Sequence, residues 1–188
     1  MLTRIRARRE NRERARRLHA CIIEQSREPH FYAALGVPDT MLGRYEMVCL
    51  HAWLLLTRLK REGEEGARLA QVLHNVIFDD FDIALREVGI GDMGIGKRIK
   101  KLARNLHGRI SVYDAGLAAG DRELAAALRR NMYASAEPDD DEVAGMIAYI
   151  RAARREIDGC PAELIFDARP RFPEPDRFAA ARQPESAA

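Results

Sequence analysis

Cysteine is scarce in this 188-residue chain: Cys21, Cys49 and Cys160 are odd in number, far apart and without a C-x-x-C pair. Such a set excludes a disulfide framework and a thiolate zinc site, and it fits a reducing compartment. Cys49, inside an apolar stretch, reads as a small buried hydrophobe. Long apolar runs are missing as well. The longest, Met47 to Leu56, is interrupted by His51 and falls short of the roughly 20 residues a spanning helix needs. No apolar segment near the start suggests a secretory signal, and Glu10 and Glu13 argue against a mitochondrial leader there. Serine is sparse too, and none of Ser26, Ser111, Ser135 and Ser186 sits in a nucleophile-elbow context. His19, His30, His51, His74 and His107 form no H-E-x-x-H and no i, i+4 pair, so they specify neither a zinc site nor a haem. Strand alternation and internal repeats are absent. These gaps lead us to expect a non-enzyme with no cofactor, no metal and no catalytic residues.

What the chain has in abundance is charge and helical periodicity. Its net charge of +2 hides a division, because eight Arg against two Glu give residues 1–19 a charge of +6 and leave −4 elsewhere. A basic arm on a mildly acidic body points to phosphate, in nucleic acid or anionic lipid, or to a helix that is simply well solvated. Residues 3–25 read as a helix. Pro38-Asp39-Thr40 opens another, with Asp39 or Thr40 as cap. There Leu42, Tyr45, Val48, Cys49, Ala52, Trp53, Leu56 and Leu59 recur every three or four residues. Leu50, Leu54 and Leu55 widen the stripe, so this helix is expected at the centre.

Further helices are predicted over 64–88, 93–118, 121–133 and from Pro138 to Ile157, with a helical turn after Pro161. Pro170, Pro173, Pro175 and Pro184 argue against a folded tail. The expected fold is all-α, a single domain of about six helices around one core. Residues 1–28 form a basic helical arm, 29–160 the helical domain, and 161–188 a short turn and a tail without fixed structure.

The stretch from Phe78 to Arg109 is the most distinctive. It contains Gly89-Ile90-Gly91-Asp92-Met93-Gly94, a match to the dinucleotide fingerprint. That fingerprint requires a preceding strand and a parallel sheet, whereas the preceding residues are helical in period, so the glycines read as a helix–turn–helix joint. Asp79, Asp80 and Asp82 lie on a helix, not on the loop a calcium site needs. They can pair with Lys97, Arg98, Lys100 or Lys101 of the next helix, or face a partner, and both arrangements stay open.

Phe31-Tyr32, Gly36-Val37-Pro38-Asp39-Thr40, Gly43-Arg44-Tyr45-Glu46-Met47 and Leu50-His51 form a recognisable series of blocks. The series continues in order through Phe78-Asp79-Asp80-Phe81-Asp82, Leu85-Arg86-Glu87-Val88-Gly89, Gly91-Asp92, Gly94-Ile95-Gly96-Lys97, Gly108-Arg109 and Tyr113-Asp114. Over about residues 30–150 the chain resembles the ubiquinol–cytochrome c chaperone family, with Tyr45 where Phe is expected and with the arm and tail outside the match. The resemblance implies an assembly chaperone for the cytochrome bc1 complex that binds newly made cytochrome b and has no catalytic site. Its mitochondrial members act with a small accessory partner and near the ribosome.

On that reading the expected partner contacts are Arg44, Glu46, Asp79, Asp82, Arg86, Glu87, Asp92, Lys97, Arg98 and Arg109. Their alternative role is an internal network. Arg4, Arg6, Arg8, Arg9, Arg12, Arg14, Arg16 and Arg17 are the expected contacts to anionic membrane or RNA. The competing function is a helical RNA- or ribosome-binding protein acting through this arm; no DNA partner is expected. The expected location is the bacterial cytoplasm beside the inner membrane, with the mitochondrial matrix as the alternative.

Overall fold

The computed structural model describes the backbone of residues 2–87 and 92–178, and the side chains of residues 6, 8–83 and 106–178. Its elements are α1 (Leu2–Ser26), α2 (Pro29–Ala33), α3 (Met41–Lys60), α4 (Gly63–Glu87) and α5 (Asp92–Ala119). They are followed by α6 (Asp121–Asn131), α7 (Asp140–Gly159), α8 (Ala162–Phe166) and a 3-10 turn at Pro175–Phe178. The described residues contain no strand, and six of the helices are long while α2 and α8 are single turns. The all-α expectation holds. Gly89 and Gly91 of the joint lie outside the described residues.

Helix α3 is the axis of the fold. Thr40 caps it, its Oγ1 accepting from the Gly43 N–H at 3.2 Å. From Tyr45 to Leu59 only Thr57 escapes burial. One side of α3, with Leu55, Leu56 and Leu59, packs against Leu69, Leu73 and Ile77 of α4 and Leu18 and Ile22 of α1. The other, with Leu50, Trp53 and Leu54, meets Tyr113 of α5, Leu124 and Leu128 of α6, and Met146 and Ile150 of α7. Each such side chain contributes about 1.5–3 kcal/mol on burial, so a helix apolar all round is worth most at the centre. Helix α7 starts from a full capping box, Asp139 accepting from Glu142 N–H at 2.7 Å while Glu142 accepts from Asp139 N–H at 3.1 Å.

Three expectations change. The arm is not separate along its length: Ala15, Leu18 and Ile22 of α1 are fully buried. Their i, i+3, i+7 spacing is a core-facing stripe hidden among arginines. The tail is also folded as far as it is described. Phe172 packs edge-on against His51 at 5.0 Å, Phe178 against Tyr149 at 5.7 Å, and Pro173 and Pro175 are buried between them. Proline suits such a strap, since it brings no N–H to satisfy and loses little entropy on ordering. Gly145 of α7 admits the strap, because a Cβ there would stand 2.4 Å from the Phe178 carbonyl oxygen. Finally, Leu42, placed in the apolar stripe by its spacing, is 47% exposed. It belongs to the first turn of α3, beyond the reach of the neighbours that cover Tyr45.

Candidate functional site

The end of the molecule where α3 begins and α4 ends carries most of the charged residues singled out in the sequence. The two helices are joined by a two-residue turn and therefore run antiparallel, which brings Tyr45 to Phe81 with ring centroids 5.2 Å apart. Helix α5 is fastened to this end by an ion pair. Arg109 donates from Nε to Glu46 Oε2 at 2.8 Å and from Nη2 to Glu46 Oε1 at 2.5 Å, a bidentate fork. The Glu46 carboxylate is fully buried and the Arg109 side chain is 20% exposed. Hydrogen bonding to Glu46 raises the Arg109 pKa above its already high ordinary value, so the guanidinium stays charged. Burial raises the Cys49 thiol and the Tyr45 and Tyr113 phenols beside the pair, keeping all three neutral.

Glu46 and Arg109 were expected either as partner contacts or as part of an internal network, and in the structure they pair with each other. A carboxylate with no exposed surface cannot touch a partner while its own counter-ion covers it. Arg44 is exposed and donates to Asp39 at 2.7 Å, a bond that holds the Asp39 carboxyl below its ordinary pKa. Asp79 meets Arg12 of α1 at 3.8 Å, and Asp80 meets His19 at 3.7 Å, so the acidic end of α4 faces the arm. Asp82 is half-buried. Arg86, Glu87, Asp92, Lys97 and Arg98 fall where only the helical backbone is described, and their side chains lie outside the described residues.

Of the arm, Arg6 pairs with Glu10 at 3.0 Å, Arg17 with Glu13 at 4.0 Å, and Arg14 with Glu65 of α4 at 3.2 Å. Arg8, Arg9 and Arg16 are exposed, and the Arg4 side chain lies outside the described residues.

Two features escaped sequence reasoning. Met41, Leu42 and Ile83 are 66%, 47% and 55% exposed at this same end, large apolar side chains left to water beside the Tyr45–Phe81 contact. Spacing places Leu42 in the apolar stripe, and Met41 and Ile83 are not singled out in the sequence. The second is a buried polar seam around His51. Its Nδ1 lies 2.8 Å from the Met47 carbonyl and 3.0 Å from Ser26 Oγ, and its Nε2 lies 2.7 Å from the Tyr149 hydroxyl. A carbonyl cannot donate, which assigns the proton to Nδ1 and makes Nε2 the acceptor from Tyr149 O–H. Tyr149 in turn accepts from Gln25, which also donates to the Pro173 carbonyl, both at 3.2 Å. Burial lowers the His51 pKa to about 4. The seam joins α1, α3, α7 and the strap, and its partners lie up to 148 residues apart. Among the described residues no group of three or more His, Cys, Asp or Glu could hold a metal ion, and no helix is long and apolar enough to cross a membrane.

Comparison with known proteins matches this architecture and its blocks. Residues 33–172 match the sequence profile described as Ubiquinol-cytochrome C chaperone. A solved structure, the Cbp3 homolog from Brucella abortus, is 37% identical and superposes with a TM-score of 0.82, over 94% of this chain and 99% of that one. The ubiquinol-cytochrome-c reductase complex assembly factor 1 of Xenopus laevis is 26% identical over 149 residues, covering 79% of this chain and 74% of its own length. Its counterpart in Mus musculus is 25% identical over 149 residues, and there the chain spans only 50% of the relative's length. The helical body, with its Glu46 and Arg109 blocks, belongs to the ubiquinol-cytochrome C chaperone family.

Proposed function

We propose that this protein is an assembly chaperone for ubiquinol–cytochrome c reductase and that its client is newly made cytochrome b. The observation that carries the reading is the family match across residues 33–172, together with relatives named as assembly factors of that complex. The open end of α3 and α4 supports a client role. Met41, Leu42 and Ile83 offer apolar surface, and Arg44, Asp79 and Asp82 stand close enough in the chain to flank it. Arg86 and Glu87 at the end of α4, with Asp92, Lys97 and Arg98 at the start of α5, are proposed to set register along the client. Glu46 and Arg109 act behind that surface, holding α5 against α3. In this reading the protein works at the cytoplasmic or matrix face of the membrane that contains the reductase.

The test is deletion of the gene in the source organism, with assembled reductase measured on native gels and b-type haem by difference spectra. Loss of both, restored by the full chain, is expected. Normal reductase without the protein would reject the chaperone reading, and loss of reductase without any co-purification of cytochrome b would reject the client.

A further inference from the structure

Helix α1 carries its charges in two separate flanks. At roughly 100° per residue, Arg6, Glu10, Glu13 and Arg17 fall on one side, where they pair as Arg6–Glu10 and Glu13–Arg17. Arg8, Arg9, Arg12 and Arg16 fall on the adjacent side, at i, i+1, i+4 and i+8. Only Arg12 of this second flank meets a carboxylate among the described residues, Asp79 at 3.8 Å, while Arg8, Arg9 and Arg16 are exposed and unpaired. The apolar face of the helix is already spent, since Ala15, Leu18 and Ile22 are fully buried in the core.

We infer that the Arg8–Arg9–Arg12–Arg16 flank is a docking surface for the phosphate headgroups of an anionic lipid bilayer. A helix whose one side carries three arginines without a carboxylate partner, about 12 Å long over eight residues, meets a plane along that side. The opposite flank carries Glu10 and Glu13, so the helix is unsuited to a polyanion that wraps round it. Residues 2–27 contain no Phe, Tyr or Trp on which bases could stack, which disfavours single-stranded RNA. Among the described residues the apolar stripe of α1 lies inside the protein, so there the contact rests on charge rather than on insertion. It is therefore reversible and salt-labile. The surface stands whether or not cytochrome b is the client, because Arg8, Arg9 and Arg16, the residues changed in the test, pair with no carboxylate of the open end of α3 and α4 among the described residues.

The test is flotation of the purified full chain with vesicles of 70% phosphatidylcholine and 30% phosphatidylglycerol, against vesicles of phosphatidylcholine alone. The variant Arg8→Gln/Arg9→Gln/Arg16→Gln is compared with Arg130→Gln/Arg155→Gln/Arg171→Gln, which removes the same charge from exposed positions elsewhere. Thermal melts that match the wild type confirm that both variants fold. Binding to the anionic vesicles is expected at low salt and lost near 0.5 M, where screening is complete within a few ångströms. The α1 variant should bind roughly a hundredfold more weakly, about fivefold per arginine, and the charge-matched control much less so. Equal weakening in both variants, or equal binding to neutral vesicles, would overturn the assignment. Tighter binding to a 40-nucleotide RNA than to the anionic vesicles, lost in the same α1 variant, would give the flank to RNA instead.

Discussion

The two ends of α3 are built on opposite terms. Toward its C-terminus the buried charge is closed off by neighbours. Arg58 is buried and donates to the carbonyls of Ile157 at 3.2 Å and Cys160 at 3.0 Å, with Glu62 as its ion-pair partner. A side chain that would suit the end of its own helix thereby satisfies the free carbonyls at the end of α7. At the middle of the helix, His51 gathers α1, α7 and the strap. At the N-terminal end, Glu46 and Arg109 are sealed just as tightly, but beyond them Met41, Leu42 and Ile83 are left exposed. Support and presentation are thus separated along one helix. A surface that must stay apolar and open can be held only by polar contacts strong enough to fix its base, and the bidentate pair supplies them.

The largest effect is expected at that base. Arg109→Met leaves a fully buried carboxylate without its counter-ion, and breaking a buried pair from one side costs about 3–5 kcal/mol. Urea unfolding should show a loss near that size, and the double variant Glu46→Gln/Arg109→Met should recover much of it. If the single change costs under about 1 kcal/mol, the open end is not held in this way.

At the closed middle of α3, acid is the probe. His51 has an ordinary pKa of 6.5 and a folded value of about 4, so the unfolded chain takes up the proton more readily. Its contribution is present in full above pH 6.5 and is lost as the pH falls toward 4, a change of about 3 kcal/mol. His51→Gln should unfold less steeply with acid across that window, measured as the difference between the two stability–pH curves. Parallel curves would mean that His51 titrates alike in both states. The strap, on the same side, is tested by Gly145→Ala, where a Cβ would meet Phe178 O at 2.4 Å and Leu35 Cδ2 at 2.7 Å. The expected loss is about 1–3 kcal/mol. Gly159→Ala, with nothing within 4 Å, is the control and should be close to neutral.

What could be read in the sequence follows from the range of the interactions. Helix α3 was legible because Tyr45 to Leu59 repeats a local period, and its Thr40 cap sits three residues from Gly43. The Glu46–Arg109 pair spans 63 residues and the His51–Tyr149 bond 98, and no periodicity encodes either. The blocks containing Glu46 and Arg109 marked them as distinctive, yet could not say that they face each other. Prolines in the tail gave a true local signal, against helix, and a false global one, because an extended chain can still bury Phe172 and Phe178. The buried stripe of α1 was diluted by arginines that face outward from the same helix. Leu42 failed in the opposite direction, since a helical period continues past the point where the packing partners stop.

That last failure gives the smallest effect on stability and the sharpest test of the contrast. Leu42→Gln/Ile83→Gln changes two side chains that are 47% and 55% exposed, so unfolding should shift by no more than about 0.5 kcal/mol per site. If the open end presents apolar surface to a client, the same variant should retain about tenfold less cytochrome b on purification. Burying even half of two such side chains is worth the roughly 1.4 kcal/mol that a tenfold change represents. A variant that is equally stable and keeps its cytochrome b would show that the exposed residues are incidental. One that unfolds easily would show that they contribute to the core. Only stability without client retention sets the two ends of α3 apart as scaffold and surface.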